Sequence, residues 1–383
     1  MKKIAFPLTL LSLLFSINSQ AESANNFEYK FSGSITSLML LDSDIAGAGV
    51  NIPANSMLGK SSQSDSKFDA SLSQIRFQAK QQLDNGRYID GKVVMDFNAN
   101  NNSGMAPRLR EAYLSWHLGY GTLTTGQTWS TFMDLKNIPA SIAEPTLSGA
   151  VFKRQPLIRW SQSFDKFSYQ FALESHTNSD IKINFEDDDD ISYDNISSTP
   201  NVVLAVEWND AQIGSLRASS LISQSDVVID NKDINKTAYG IHLTGGLNLW
   251  DTDKLSVLYF SGRGTNRYLL GLHDTGPSWD KERQALDFRD THSLIVAYTR
   301  QWRNDLKSIF SYSAVQSETL DWQEERKIDA FTNTEYGMAN LLWAVESNIT
   351  VGVEYNYARY KRSNSEEEER DNHRLMLGVD WQF

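Results

Sequence analysis

Polar and apolar residues alternate with a period of two along most of this chain. In the first such stretch Phe27, Tyr29, Phe31 and Ile35 share one parity, with Gly33 between them, while Glu28, Lys30, Ser32 and Ser34 hold the other. Further on, Ile89, Gly91, Val93, Met95 and Phe97 alternate with Asp90, Lys92, Val94, Asp96 and Asn98. The last stretch is the cleanest: His373, Leu375, Leu377, Val379, Trp381 and Phe383 alternate with Arg374, Met376, Gly378, Asp380 and Gln382. In an extended chain successive side chains point to opposite faces, so the pattern predicts strands with one apolar and one polar face.

Sixteen segments read this way: 27–40, 68–82, 87–98, 108–118, 121–128, 156–163, 167–177, 200–209, 212–224, 237–249, 254–263, 291–301, 306–317, 331–343, 349–360 and 373–383. The connections between them alternate in length. Short ones such as Leu83-Asp84-Asn85-Gly86 and Trp302-Arg303-Asn304-Asp305 carry turn chemistry; long ones fall between, at 41–67, 99–107, 129–155, 178–199, 225–236, 264–290, 318–330 and 361–372. An even strand number with turns at one end and loops at the other predicts an all-β fold, a 16-stranded antiparallel transmembrane β-barrel. A soluble sandwich or propeller would also alternate, but its apolar face meets a second sheet and its loops lack this two-class rhythm.

Beyond residue 21 no more than five apolar residues run together, as at Val202 to Val206, which excludes a transmembrane helix. Barrel strands need only about 9 to 11 residues with alternate positions apolar. The first residues read as an export leader: Lys2 and Lys3, an apolar stretch from Ile4 to Ile17, then the small-x-small pattern Ser19-Gln20-Ala21. Residues 1–21 are therefore expected to be removed, leaving 22–383 as one barrel domain. The chain has no cysteine, which excludes a disulfide scaffold and any Cys-based metal or redox site. Removing Lys2 and Lys3 from the 36 basic residues leaves 34 against 48 acidic ones, a mature charge of −14. Such a chain has no electrostatic footprint for nucleic acid. Aromatic residues near strand ends, among them Trp116, Trp208, Tyr298, Tyr357 and Trp381, suit an interfacial girdle.

One segment stands apart. Arg108-Leu109-Arg110-Glu111-Ala112-Tyr113-Leu114 is followed by Gly126-Gln127-Thr128-Trp129-Ser130-Thr131-Phe132-Met133-Asp134 and then by Arg154-Gln155-Pro156-Leu157-Ile158-Arg159-Trp160. This resembles the DcaP-like trimeric porins, in which a G-Q-T-W-S-T-F stretch leads from strand five into a loop folded inside the barrel. The resemblance implies a homotrimer passing small anionic organic solutes such as dicarboxylates, with arginines at a constriction formed by loop 129–155, the third extracellular one. The terminal strand ending in Phe383 resembles the signature that delivers such proteins to the barrel-assembly machinery.

The residues meet this expectation part-way. A sixteen-stranded barrel is wide enough for an aqueous lumen, so selectivity must come from whatever narrows it. Around loop 129–155 the basic residues Arg108, Arg110, Lys136, Lys153, Arg154 and Arg159 outnumber Glu111, Asp134 and Glu144. Guanidinium groups there would attract carboxylates. Parity points Arg76 and Arg159 into the lumen, whereas Arg108 and Arg110 share the parity of Leu114 and Trp116 and need a bulge, or a position beyond the membrane band, to turn inward. Each could instead be a rim residue contacting solvent or lipopolysaccharide. The acidic runs Glu186–Asp190 and Glu366–Glu369 read as solvated external loops or as divalent-cation bridges between lipopolysaccharides.

No cofactor, metal or enzyme chemistry is expected. The six histidines, His117, His176, His242, His273, His292 and His373, are scattered without metal spacing, and there is no G-x-S-x-G elbow. Three readings stay open beside an anion-preferring porin: a non-selective or cation-preferring porin, an outer-membrane hydrolase assembled from separate strands, and an adhesin.

Overall fold

The computed structural model describes residues 26–44, 49–50, 63–99, 105–144, 147–175, 183, 193–196, 199–229, 231–250, 252–272, 275–364 and 369–383. The expected leader 1–21, the acidic run Glu186–Asp190 and residues 366–368 lie outside them.

Sixteen strands form one barrel. They are β1 (Phe27–Asp42), β2 (in two runs, Asp65–Asp69 and Gln74–Gln82), β3 (Tyr88–Asp96), β4 (Arg108–His117), β5 (Thr122–Trp129), β6 (Arg154–Phe164), β7 (Phe167–Glu174) and β8 (Asn201–Asp210). There follow β9 (Gly214–Ile229), β10 (Lys232–Leu249), β11 (Asp253–Arg263), β12 (Asp290–Arg303), β13 (Leu306–Ser317), β14 (Ala330–Glu346), β15 (Ile349–Ser363) and β16 (Glu369–Gln382). Each pairs antiparallel with its neighbours, and β1 pairs with β16 from Ser34↔Gln382 to Asp42↔Arg374, which closes the sheet and leaves no edge. The short turns lie at the end that carries Phe383, whose neighbour Gln382 donates its N–H to the carbonyl of Asn348 in the last turn. The turn Asn85-Gly86 takes positive φ at both positions (62° and 72°), the conformation a tight hairpin between right-twisted strands demands.

The polarity of the faces is inside-out. On β16, Arg370, Asn372, Arg374 and Met376 are buried toward the lumen while Leu375, Leu377, Val379 and Trp381 face outward. The same holds on β1, where Ser34, Thr36, Leu38 and Leu40 point in and Tyr29, Phe31 and Ile35 point out. An apolar exterior over a polar wall satisfies both lipid and water without a second sheet.

Two predicted loops differ. Residues 225–236, expected as a loop, instead extend β9 to Ile229 and begin β10 at Lys232, which pair as a ribbon with Asn231 at φ 61° between them. Val227, Ile229, Trp279, Leu286 and Phe288 pack together there, with the short hairpin of Ser278–Asp280 and Ala285–Asp287 laid over the ribbon, so tertiary burial overrides local composition. Residues 318–330 hold a short helix, Asp321–Glu325, seated by the buried Trp322. Segment 68–82 is broken between its two runs, where Ser71 Oγ and N–H both donate to Asp69.

Candidate functional site

The chain leaving β5 does not return to the surface. The described residues of the third loop (L3, 130–153), namely 130–144 and 147–153, run inside the barrel, and the motif residues each have a definite task in sending them there. Gly126 has φ +121°, and a Cβ on it would lie 2.3 Å from the carbonyl oxygen of Ala112, so only glycine fits. Opposite it β4 carries a bulge: Val94 pairs with Glu111 and Met95 with Leu109, leaving Arg110 extra. Gln127 Nε2 covers that irregularity by donating to the carbonyls of Leu109 (3.0 Å) and Arg110 (3.3 Å). Thr128 donates to Glu111 at 3.0 Å. The Ser130 hydroxyl and the Thr131 N–H both donate to Glu174, each at 2.7 Å. Lys153 returns a backbone carbonyl to the Ser130 N–H (2.9 Å), closing the base of the loop.

Phe132 then enters an aromatic socket of His242, Phe260 and Tyr268. Asp134 accepts from the Thr244 hydroxyl, Asn137 Nδ2 and the Lys136 N–H. Burial pushes its carboxyl up, but these bonds outweigh it and hold the group below its ordinary value of 3.8. The tip crosses to the far wall, where Glu354, fully buried, accepts four donors: Ser141 Oγ (2.9 Å), the Ile142 N–H (3.2 Å), Asn340 Nδ2 (3.1 Å) and Asn356 Nδ2 (3.1 Å). Ile142 fits there because Gly352 and Gly378 leave room; a Cβ on either would meet it at 2.9 Å and 2.6 Å. In a second loop, residues 264–289 (L6), the segment 264–272 also folds inward and pairs with the returning arm of L3 at Val151↔Leu269. Phe132, Met133, Leu147, Val151, Tyr268, Leu269 and Leu272 make one apolar cluster against the wall. Nothing in the sequence pattern announces L6 as a partner of L3.

Of the two ways open to Arg108 and Arg110, the structure shows the bulge, which turns them inward. Arg108 grips Asp96 with two bonds (2.9 and 2.5 Å), and Arg110 bridges Asp96 and Glu144, each at 2.5 Å. Arg154 lies 4.5 Å over the Trp129 ring and 3.8 Å from Glu144. These three cations thus carry two counter-ions with them. Arg159 donates to the Trp129 carbonyl (3.3 Å) and Arg217, which sequence reading overlooked, donates to the Thr131 carbonyl (2.7 Å). Arg76 stands on β2, two strands from Arg108 and Arg110, held by Gln74 (2.9 and 3.1 Å). Asp96, Glu174, Glu354 and Arg217 were invisible as site residues because isolated polar positions on a lumen face look alike until the loop reaches them. Among the described residues no group of three His, Asp or Glu could hold a metal ion.

A family model described as DcaP outer membrane protein matches residues 15–380. The chain belongs to that family. It is similar in structure to the outer membrane channel DcaP of Acinetobacter baumannii, with TM-score 0.79 and 18% identity over 94% of this chain and 99% of that one. It is also similar to an anion-selective porin from Comamonas acidovorans (TM-score 0.59, 11% identity, 93% and 100% covered). The trimer form of OmpT, an outer membrane protein of Vibrio cholerae, is a third (TM-score 0.60, 13% identity, 94% and 100% covered). A comparison with curated proteins gives no match. Identities this low show the fold; the family match, the closed barrel and the inward loop together make the protein an outer-membrane channel of a Gram-negative bacterium.

Proposed function

We propose that the channel passes small hydrophilic solutes by passive diffusion with a preference for organic anions such as dicarboxylates, and that it works as a homotrimer after loss of residues 1–21. One observation carries the anion preference: at the L3 wall Glu174 and Asp134 are each well supplied with donors, while three guanidinium groups keep an N–H without an acceptor. Glu174 takes three donors, from Ser130, Thr131 and Gln155, and Asp134 takes three more. By contrast Arg154 Nη1, Arg159 Nε and Arg217 Nε are buried and have no acceptor. Surplus donors in a partly dehydrated wall attract an anion that can complete them. Arg76, Arg108, Arg110, Lys153, Arg154 and Arg159, joined by Arg217, are the proposed pore residues. The trimer rests on the DcaP-like resemblance and on the trimer form of the V. cholerae relative. Delivery through a C-terminal signature at Phe383 and contacts with lipopolysaccharide are expected of such a barrel.

A weaker cation preference has one observation in its favour, three carboxylates (Glu144, Asp305 and Asp380) lining the cavity beneath the loop. Reversal potential in a planar bilayer under a KCl gradient decides. Chloride preference that falls toward zero in Arg159→Gln/Arg217→Gln supports the anion reading; cation preference in the wild type rejects it and leaves a general channel.

A further inference from the structure

Beneath the L3 tip, toward the Phe383 end of the barrel, lies a polar cavity of about 430 Å³, within the range of small-ligand sites. Its roof is Ala140–Glu144 and its walls include Arg76, Lys307, Asp305 and Asp380. Two of the five charged residues that line it are already compensated: Glu144 by Arg110, and Asp305 by Arg303 and the indole N–H of Trp343. Arg76 and Asp380 are different. Among the described residues neither has an ion pair, and each is held by neutral neighbours instead. Gln74 Oε1 accepts from Arg76 Nε and Nη2, while Asp380 accepts from the Thr36 hydroxyl (2.7 Å) and Gln382 Nε2 (3.2 Å). The two sit on β2 and β16, on either side of β1.

We propose that this cavity is a binding site for short zwitterionic peptides, with the carboxylate on Arg76 and the ammonium on Asp380. Across β1 the two strands lie two inter-strand spacings apart, about 10 Å, and along it Arg76 pairs with Ser32 and Asp380 with Thr36; because the Arg76 guanidinium is held by Gln74, opposite Ser34, the charged groups are offset by about two residues, or about 7 Å, and so lie about 12 Å apart. An extended dipeptide spans about 7 Å and each charged contact adds about 3 Å. An α-amino acid bears both charges on one carbon and is too short to engage both partners. The hydroxyls of Ser34 and Thr36 on β1 line the path between them and offer partners for the peptide amide. Lys307, a further cation without an ion pair among the described residues, favours peptides with an extra carboxylate. The site shares Arg76 with the proposed anion-preferring pore but none of the arginines of the L3 wall, and Asp380 belongs to this site alone, so the Asp380 variants test it independently of the anion preference.

The test is flux of glycylglycine, glycine, succinate and glucose through the full folded channel in proteoliposomes. Wild-type glycylglycine flux should saturate while glycine and glucose flux stays linear in concentration. Asp380→Asn should lower glycylglycine flux relative to glucose by about two- to fivefold, the size of a solvated ion contact, without lowering succinate flux. Asp380→Glu should restore it, and Arg76→Gln should lower it as Asp380→Asn does. Unsaturated glycylglycine flux that the two neutralising variants leave unchanged overturns the site. So does a loss in Asp380→Asn shared by glycylglycine and succinate and not restored by Asp380→Glu.

Discussion

At the scale of the residue, the motif Gly126 to Asp134 is a set of separate solutions to one problem, how to turn a strand end into a loop inside the barrel. Gly126 carries the steepest requirement, because both its φ and the nearby Ala112 carbonyl exclude a side chain. Gly126→Ala should cost about 1–3 kcal/mol or prevent folding, read as loss of the heat-modifiable folded band on a gel; an unaffected band would show that the strand pair can part. Asp134 sets a second expectation. Its folded value is depressed below 3.8, so the stability it gives L3 is fully present above the ordinary carboxylate range and is lost only as pH falls through the lowered value. Single-channel current should therefore stay quiet at pH 5 and grow noisy only below about pH 4, whereas Asp134→Asn should be noisy at neutral pH. Noise that sets in at pH 6 would implicate another group.

At the scale of the element, L3 is a strap fixed at both ends and at its tip. Its tip depends on Glu354, an acceptor for two loop groups and two wall amides. Glu354→Ala strands those donors and should free the tip, raising single-channel conductance and the size limit for sugars, while Glu354→Gln, which keeps an acceptor oxygen, should fall between. Unchanged conductance in Glu354→Ala would mean that Ile142 in its glycine-lined socket holds the tip alone. The strands themselves were legible, since a one-residue slip would place a whole apolar set in water. The bulge in β4 was legible as a contradiction: Arg108 and Arg110 shared a parity with lipid-facing residues, and an extra residue resolves it. The β9–β10 ribbon and L6 were not, because what orders them is burial against distant segments such as Phe288 and Val151.

At the scale of the whole molecule, the seam between β1 and β16 decides whether the sheet is a barrel or a ribbon. Phe383 pairs with Gly33 in both directions (2.8 and 3.1 Å), and at the other end the buried Arg374 and Asp42 meet at 2.7 Å. Arg374→Met leaves a buried carboxylate uncompensated and should destabilise the barrel by about 3–5 kcal/mol, with Asp42→Leu added to it restoring much of the loss. Thermal unfolding of the two variants checks this; equal unfolding temperatures would show that the pair is solvated. The sequence by itself determined the period, the strand number, the alternation of turns and loops, and hence the closed barrel in a membrane, because each follows from local polarity repeated at every strand. Only the tertiary structure decided which charges remain available. Arg108 and Arg110 are neutralised by Asp96 and Glu144, and Arg217 by Glu207, while among the described residues Arg76, Arg159 and Asp380 are held by neutral partners. That balance depends on where L3 lands across the lumen, and no local pattern encodes contacts between residues separated by a hundred positions and a barrel's width.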